Sequence, residues 1–431
     1  MLPSWPDESH LRRKLRSYWL GIIKSEKNYV SYLDTSRGLR ARRRSQNILY
    51  CGTCDTLRNI IGGAVRRDPV HLHSVQVRFE MNNSEEKSAL RGIIKPMRPV
   101  YVLASSAVVG REEYKGPLRE YFEVRDNKDD SFGMKSWERA ESEMQRLALN
   151  GVFAGAKFGE ADVGFLFAGD LLNQCAGSNY GLLNFKIPYL GLYGACSTAA
   201  EGLILSALMC GSTGMRCAAV SSSHNCSAER QFRFPMEYGG QRTPTSQWTV
   251  TGAGAFAVGA DKSETKHNGM YLRIADVMPG IATDRGITDI NNMGAAMAPA
   301  VADTLLRYFD STKTTGESYD LIITGDLGRE GSAILCDLMR IEGKSIDDMH
   351  DDCGLMIYDE SSDKHAGGSG CGCSAVVVAA CIMERMRRGE WKNVLFVGSG
   401  ALMNPVMLNQ GESIPGIGHL VHIVTEERQM G

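Results

Sequence analysis

Beyond Pro99 the apolar positions fall into two alternating kinds of run. Short, nearly continuous apolar stretches, at 163–168 and 321–324 for example, suit strands covered on both faces. Between them, apolar or small residues recur at helical spacing; Trp137, Ala140, Met144, Leu147 and Ala148 form one such stripe within 136–150. The pattern predicts a helix at 136–150, a strand at 163–168, a loop at 169–173 and a turn at Cys196. A helix running to Cys210, a buried strand at 217–221 and a glycine-rich strand at 251–260 follow. The order then recurs: helix 298–309, strand 321–324, loop 325–327, a turn at Cys373, a helix to Arg387, strand 394–397 and a closing strand near 419–424.

The repetition extends to the residues themselves. Gly194-Ala195-Cys196-Ser197-Thr198-Ala199 and Cys371-Gly372-Cys373-Ser374-Ala375-Val376 each open an apolar helix, and each helix leads into a buried strand at nearly the same distance. Upstream, the matching strands end in Gly169-Asp170-Leu171 and Gly325-Asp326-Leu327. Alternating strand and helix implies parallel sheets with right-handed crossovers. Two equivalent halves imply pseudo-twofold symmetry and a five-layer α/β stack, helix–sheet–helix–sheet–helix, with the two Cys-led helices back to back. Ala199, Gly202, Ala207, Ala375, Ala379 and Ala380 are small enough to let those helices approach closely. An extra helix and a hairpin-like segment at 333–359 are expected in the second half alone, and a long loop at 222–250 in the first half alone. Loops of that length tend to be functional.

Charge divides the chain where the pattern does. Residues 1–80 hold 15 Lys and Arg against 7 Asp and Glu, while the remainder holds 33 against 43, so a net charge of −2 conceals two unlike pieces. The first piece shows no sustained helical or strand period. It is expected to be a weakly ordered basic extension, or the product of a misassigned start with Met81 or Met97 as the natural first residue. The domains are then 1–80, a first half at 97–262 and a second half at 263–431. Cys51-Gly52-Thr53-Cys54 with His71 and His73 lacks the spacing of a zinc finger, so no metal site is expected there. No nucleic-acid partner is expected either. Most cysteines sit singly in apolar segments (Cys210, Cys217, Cys336, Cys381), as buried thiols of a reducing compartment do. With neither a signal-peptide pattern nor an apolar run of bilayer length, cytoplasmic synthesis is the expectation.

The two halves, with a Cys at the turn into the first central helix, resemble the thiolase and β-ketoacyl synthase superfamily. Within it, the chain from about Pro99 onward resembles the stage V sporulation protein AD family of spore-forming bacteria. Ala168-Gly169-Asp170-Leu171-Leu172-Asn173-Gln174, Ser222-Ser223-His224-Asn225, Ala228-Glu229-Arg230-Gln231-Phe232-Arg233, Asp351-Asp352-Cys353-Gly354-Leu355 and Gly367-Gly368-Ser369-Gly370-Cys371 carry that likeness. The superfamily resemblance implies an acyl-accepting nucleophile at Cys196, a homodimer, and a His after the second-half strand as base. Here that place holds Gly325-Asp326-Leu327, and the later glycine-rich loop has neither His nor Asn. A carboxylate beside a thiol opposes its ionisation, so an acyl-transfer enzyme would need Cys196 with a displaced base such as His224.

The narrower resemblance implies a non-catalytic binding protein for dipicolinic acid, pyridine-2,6-dicarboxylate, with calcium as a companion of the ligand and no other cofactor. It also implies membrane-embedded stage V sporulation proteins of the same operon as partners, at the spore inner membrane. A planar dianion calls for a helix N-terminus (Cys196, Ser197), cations (Arg230, Arg233 or His224) and amides (Asn173, Gln174, Asn225), with Asp326 beside a chelated metal. For His224, a ligand and a satisfied structural residue remain open readings. The arginine pair has a solvated loop or a dimer contact as its alternative. His350 and His365, in polar stretches, read as surface residues.

Overall fold

The computed structural model describes residues 92–126, 128–232 and 242–428. The chain divides into two units, Met1–Met81 and Asn82–Gly431, and every described residue belongs to the second. The expected basic extension at 1–80 lies outside the described residues.

Each half opens with a strand that the apolar pattern did not announce. In the first half β1 (Val100–Val109) precedes α1 (Trp137–Gly155), β2 (Val163–Asp170), the short α2 (Ala176–Gly181), β3 (Tyr189–Leu192), α3 (Thr198–Thr213), β4 (Arg216–Ser223), α4 (Asn225–Phe232) and β5 (Gly252–Gly259). The second half runs β6 (Tyr271–Met278), α5 (Met293–Thr312), β7 (Leu321–Thr324), α6 (Gly328–Ile341), β8 (His350–Asp352), α7 (Cys371–Val376), β9 (Asn393–Ala401) and β10 (Gly416–Glu426). The helix begun by α7 continues through a π-helical turn, Val377–Ile382, to Arg387. Ser136 and Asn292 cap α1 and α5 by accepting backbone N–H bonds, which fixes where those helices begin.

Strand order makes the duplication explicit. The first half is ordered β3-β2-β4-β5-β1 and the second β8-β7-β9-β10-β6, strand for strand equivalent. The two five-stranded sheets meet edge to edge where Val100 pairs with Ile274 and Tyr101 with Arg273. The sheets are mixed, not parallel as expected. In each, three adjacent strands and the opening strand run in one direction, and the closing strand between them is antiparallel to both its neighbours. The segment 333–359 is likewise no insertion of one half. Its strand β8 pairs parallel to β7 as β3 pairs with β2, so α2 and β3 are the counterparts of α6 and β8.

The layers follow from side-chain alternation. Along β9, Val394 and Phe396 enter the central cluster, whereas Leu395 and Val397 enter an outer one. Along β4, Cys217 and Ala219 point inward and Ala218 and Val220 outward. Helices α1 and α5 cover the outer faces, and α3 and α7 pack on each other between the sheets. The result is the duplicated five-layer thiolase-like fold. Glycines set its inner spacing: a Cβ on Gly254 of β5 would stand 2.3 Å from the Ala375 backbone, and one on Gly398 of β9 2.6 Å from the Ala200 Cβ. Each central helix therefore lies against a sheet at backbone distance.

One described helical stretch, Ala195–Thr213, has the length and mean hydropathy (1.3) of a membrane span. It contains α3, the central helix, and is 72% buried in this fold, so its apolar character is that of a core helix.

Candidate functional site

The turn before α3 is built on an uncommon backbone. Ala195 has φ +50°, a left-handed conformation that costs an alanine about 1 kcal/mol or more. The thiol of Cys196 follows in a short 3₁₀ turn, and Ser197, wholly buried, donates its hydroxyl to the Gly194 carbonyl at 2.6 Å. Cys196 lines a pocket enclosing about 440 Å³ of space, part of it open to solvent. Leu171, Ala228, Phe232, Met293, Ala401 and Met403 give it apolar walls, and Tyr193, Glu229, Thr249 and Ser369 supply its polar groups.

Asp326 defines the chemistry of the floor. It is fully buried at the end of β7, where its carboxylate accepts bonds from the Gly370 N–H (2.8 Å) and the Ser399 hydroxyl (2.8 Å) and interacts with the Cys196 thiol. Burial is the main cause that raises its pKa to about 7. Cys196 is pushed well above its ordinary value, first by burial and then by the charge of Asp326, while backbone groups of Gly370 and Ala401 oppose the shift weakly. The helix N-terminus is thus outweighed, and the thiol is a hydrogen-bond donor at neutral pH rather than a thiolate.

The remaining candidates are placed elsewhere. His224, fully buried at the end of β4, does not line the pocket. Its Nε2 faces the Asp130 carbonyl at 2.9 Å, its Nδ1 accepts from the Cys226 N–H, and its ring lies 5.2 Å from that of Trp137. Burial lowers its pKa. Asn225 turns its amide to the Thr249 carbonyl. Arg230, half exposed, pairs with Glu138. Asn173 and Gln174 lie in an exposed turn, where the Asn173 N–H donates to Gln231 and Gln174 has φ +56°. None of these four lines the pocket. Arg233 lies outside the described residues. His350, expected at the surface, is instead packed against Thr324 and Cys336, and burial lowers its pKa to about 4.

Sequence reasoning missed the pocket's own carboxylate. Glu229 pairs with Arg242 at 3.1 Å, both side chains being nearly buried, and Arg242 lies over the Trp248 ring at 4.5 Å. Lys364 lies over the same ring at 3.5 Å. The stretch 228–233 is conspicuous for its two arginines, not for the glutamate that precedes them. Among the described residues no cluster of three or more His, Cys, Asp or Glu could hold a metal ion. The glycine-rich loop at 367–370 is a tight strand connection. Gly368–Ser369 pairs with Trp248–Thr249, and the Gly370 N–H is committed to Asp326.

Comparison with known proteins gives a consistent set. The family described as stage V sporulation protein AD matches residues 93–424. Stage V sporulation protein AD of Bacillus subtilis (strain 168) is 42% identical over 322 residues, covering 74% of this chain and 93% of the relative. Similar solved structures include cerulenin-bound OleA of Xanthomonas campestris, at 12% identity and TM-score 0.48, covering 78% of this chain and 98% of that one. Another is 3-oxoacyl-(acyl-carrier-protein) synthase III from Aquifex aeolicus VF5, at 8% identity and TM-score 0.44, covering 75% and 99%.

Proposed function

The chain belongs to the stage V sporulation protein AD family, and from that premise we propose that it is a non-catalytic binding protein that holds dipicolinic acid in the Cys196 pocket during sporulation. The contact between Cys196 and Asp326 carries this reading. Where an acyl-transfer site needs a base to take the thiol proton, this chain sets a carboxylate that accepts the thiol hydrogen and disfavours the thiolate. Binding needs neither base nor leaving group.

The lining suits a flat ring with polar edges. Leu171, Phe232, Met293 and Met403 would cover the faces of a pyridine ring, with Ser369, Thr249 and the Tyr193 hydroxyl available to carboxylate oxygens. Arg242, paired with Glu229, sets a cation behind the pocket wall. A dianion gains more from that wall when it arrives with calcium, because the metal supplies positive charge and Glu229 supplies an oxygen ligand. We propose the homodimer contact at the edge strand β3 and the residue after it, where Leu190 (50% exposed) and Tyr193 (45%) are exposed apolar side chains. Membrane-embedded stage V proteins at the spore inner membrane remain the proposed partners.

Calorimetric titration with dipicolinate, with and without calcium, tests the reading. Saturable binding at one site per chain is expected, abolished by Ala401→Trp, which fills the pocket. Absence of saturable heat in both titrations would overturn it. Incubation with acyl-CoA followed by intact mass separates the alternative, since an acyl adduct on Cys196 would restore the enzyme reading.

A further inference from the structure

Far from the pocket, the helix begun by α7 ends in a guanidinium that no carboxylate among the described residues bonds. The helix spans 371–387, about 25 Å at the usual rise per residue, so Arg387 lies at the opposite end of the central layer from Cys196. Arg387 is 5% exposed. Its Nη1 donates to the Ser105 hydroxyl at 3.2 Å, but its Nη2 is buried with no partner among the described residues. Arg428 adds a second cation whose Nε is likewise buried with no partner among them. Both residues meet the loop at 267–270, Arg387 through its backbone and Arg428 through its side chain: the Met270 N–H donates to the Arg387 carbonyl at 2.8 Å, and the Arg428 guanidinium donates to the His267 carbonyl. His267 feels both positive charges.

The carboxylates nearby are already engaged. Glu426 binds Lys262, Arg273 and the Tyr101 hydroxyl, and Glu384 pairs with Arg388. A buried guanidinium with an unmet N–H is costly, and an ion that supplies both charge and acceptor oxygens removes that cost. Two arginines offering free N–H groups suit a tetrahedral oxyanion.

We propose that Arg387 and Arg428 form a binding site for a small inorganic oxyanion, of the phosphate or sulfate class, at the far end of the central helix. Thermal unfolding of the full chain in inorganic phosphate, with ionic strength held constant by sodium chloride, tests it. Saturable stabilisation is expected. At ten times the dissociation constant, the folded-to-unfolded ratio should rise about elevenfold. Arg387→Gln should lose the saturable part, and Arg428→Ala, which changes a less buried residue and leaves the helix intact, should weaken it at least tenfold. Stabilisation that tracks ionic strength alone, or that persists unchanged in Arg428→Ala, would overturn the assignment.

Discussion

Replacing Asp326 by Asn should make Cys196 more reactive. The substitution keeps the shape of the side chain. Its oxygen can still accept from the Gly370 N–H, and its new amide can donate to the Ser399 oxygen, so the backbone around the turn is retained. What disappears is a negative charge in contact with the sulfur. For two unit charges about 4 Å apart, the interaction is ~1 kcal/mol in water and ~4 kcal/mol at the effective dielectric of a partly buried pair. Divided by ~1.36 kcal/mol per pKa unit, this lowers the thiol pKa by about 0.7 to about 3 units. The full interaction applies because Asp326, with its pKa of about 7, is ionised in the alkaline range where the thiol titrates. Burial, the larger cause of the upward shift, is untouched, so the thiol stays above its ordinary value. A less basic thiolate is also a weaker nucleophile, with a Brønsted slope of about 0.4–0.5, so each unit gains roughly threefold in rate below the pKa. Alkylation of Cys196 by iodoacetamide at pH 8, followed on its peptide by mass spectrometry, should therefore accelerate by between about twofold and about fortyfold. An unchanged or slower rate, in a variant that melts like the parent, would refute the coupling of the two residues and with it the argument against catalysis.

Other outcomes follow from the same structure. Four fully buried carboxyls have pKa values raised by burial: Glu113 and Asp326 to about 7, Glu141 to about 8 and Asp352 to about 6. The folded state then holds protons that the unfolded chain has released. Their contribution is complete below about pH 4 and is lost as pH rises through about 6 to 8. The urea midpoint should fall across that window, and a midpoint rising steadily from pH 5 to pH 8 would contradict the assignment. Gly254→Ala places a methyl group against the Ala375 backbone and should cost about 1–3 kcal/mol, read as a lower melting temperature. Replacing His224 by Asn should lower stability and leave the dipicolinate affinity unchanged, whereas Glu229→Gln should weaken the calcium-dependent part of the binding. Comparable losses of affinity in the two variants would place His224 at the ligand after all.

The fold was legible where strands are covered on both faces, because β2, β4, β7 and β9 then read as unbroken apolar runs. It was illegible at β1 and β6. In β6 the run is interrupted by Arg273 and Asp276, which read as solvent-facing. Folding gives each a distant partner instead, Glu426 for Arg273 and the Tyr308 hydroxyl for Asp276. Ser105 breaks β1 in the same way, its hydroxyl donating to the Ala379 carbonyl of the central helix. Polar residues satisfied across 32, 153 and 274 positions of sequence leave no local signal.

The site divides along the same line. Cys196 and Asp326 each occupy a place that recurs in the other half, the turn before a central helix and the end of a parallel strand, so the duplication itself points to both. Their counterparts show what distinguishes a site from scaffold. Asp170 spends its carboxylate on Ser178 and the backbone of its own half, and Cys373 is sealed in the core. Asp326 alone of the two aspartates reaches across the pseudo-twofold axis to the other half's cysteine. The walls around that contact come from at least six separate segments, among them 228–232, 293 and 401–403, and nothing in any one of them reveals the others. A duplicated fold thus exposes its reactive positions through repetition, while the ligand those positions serve is written in the unrepeated residues between them.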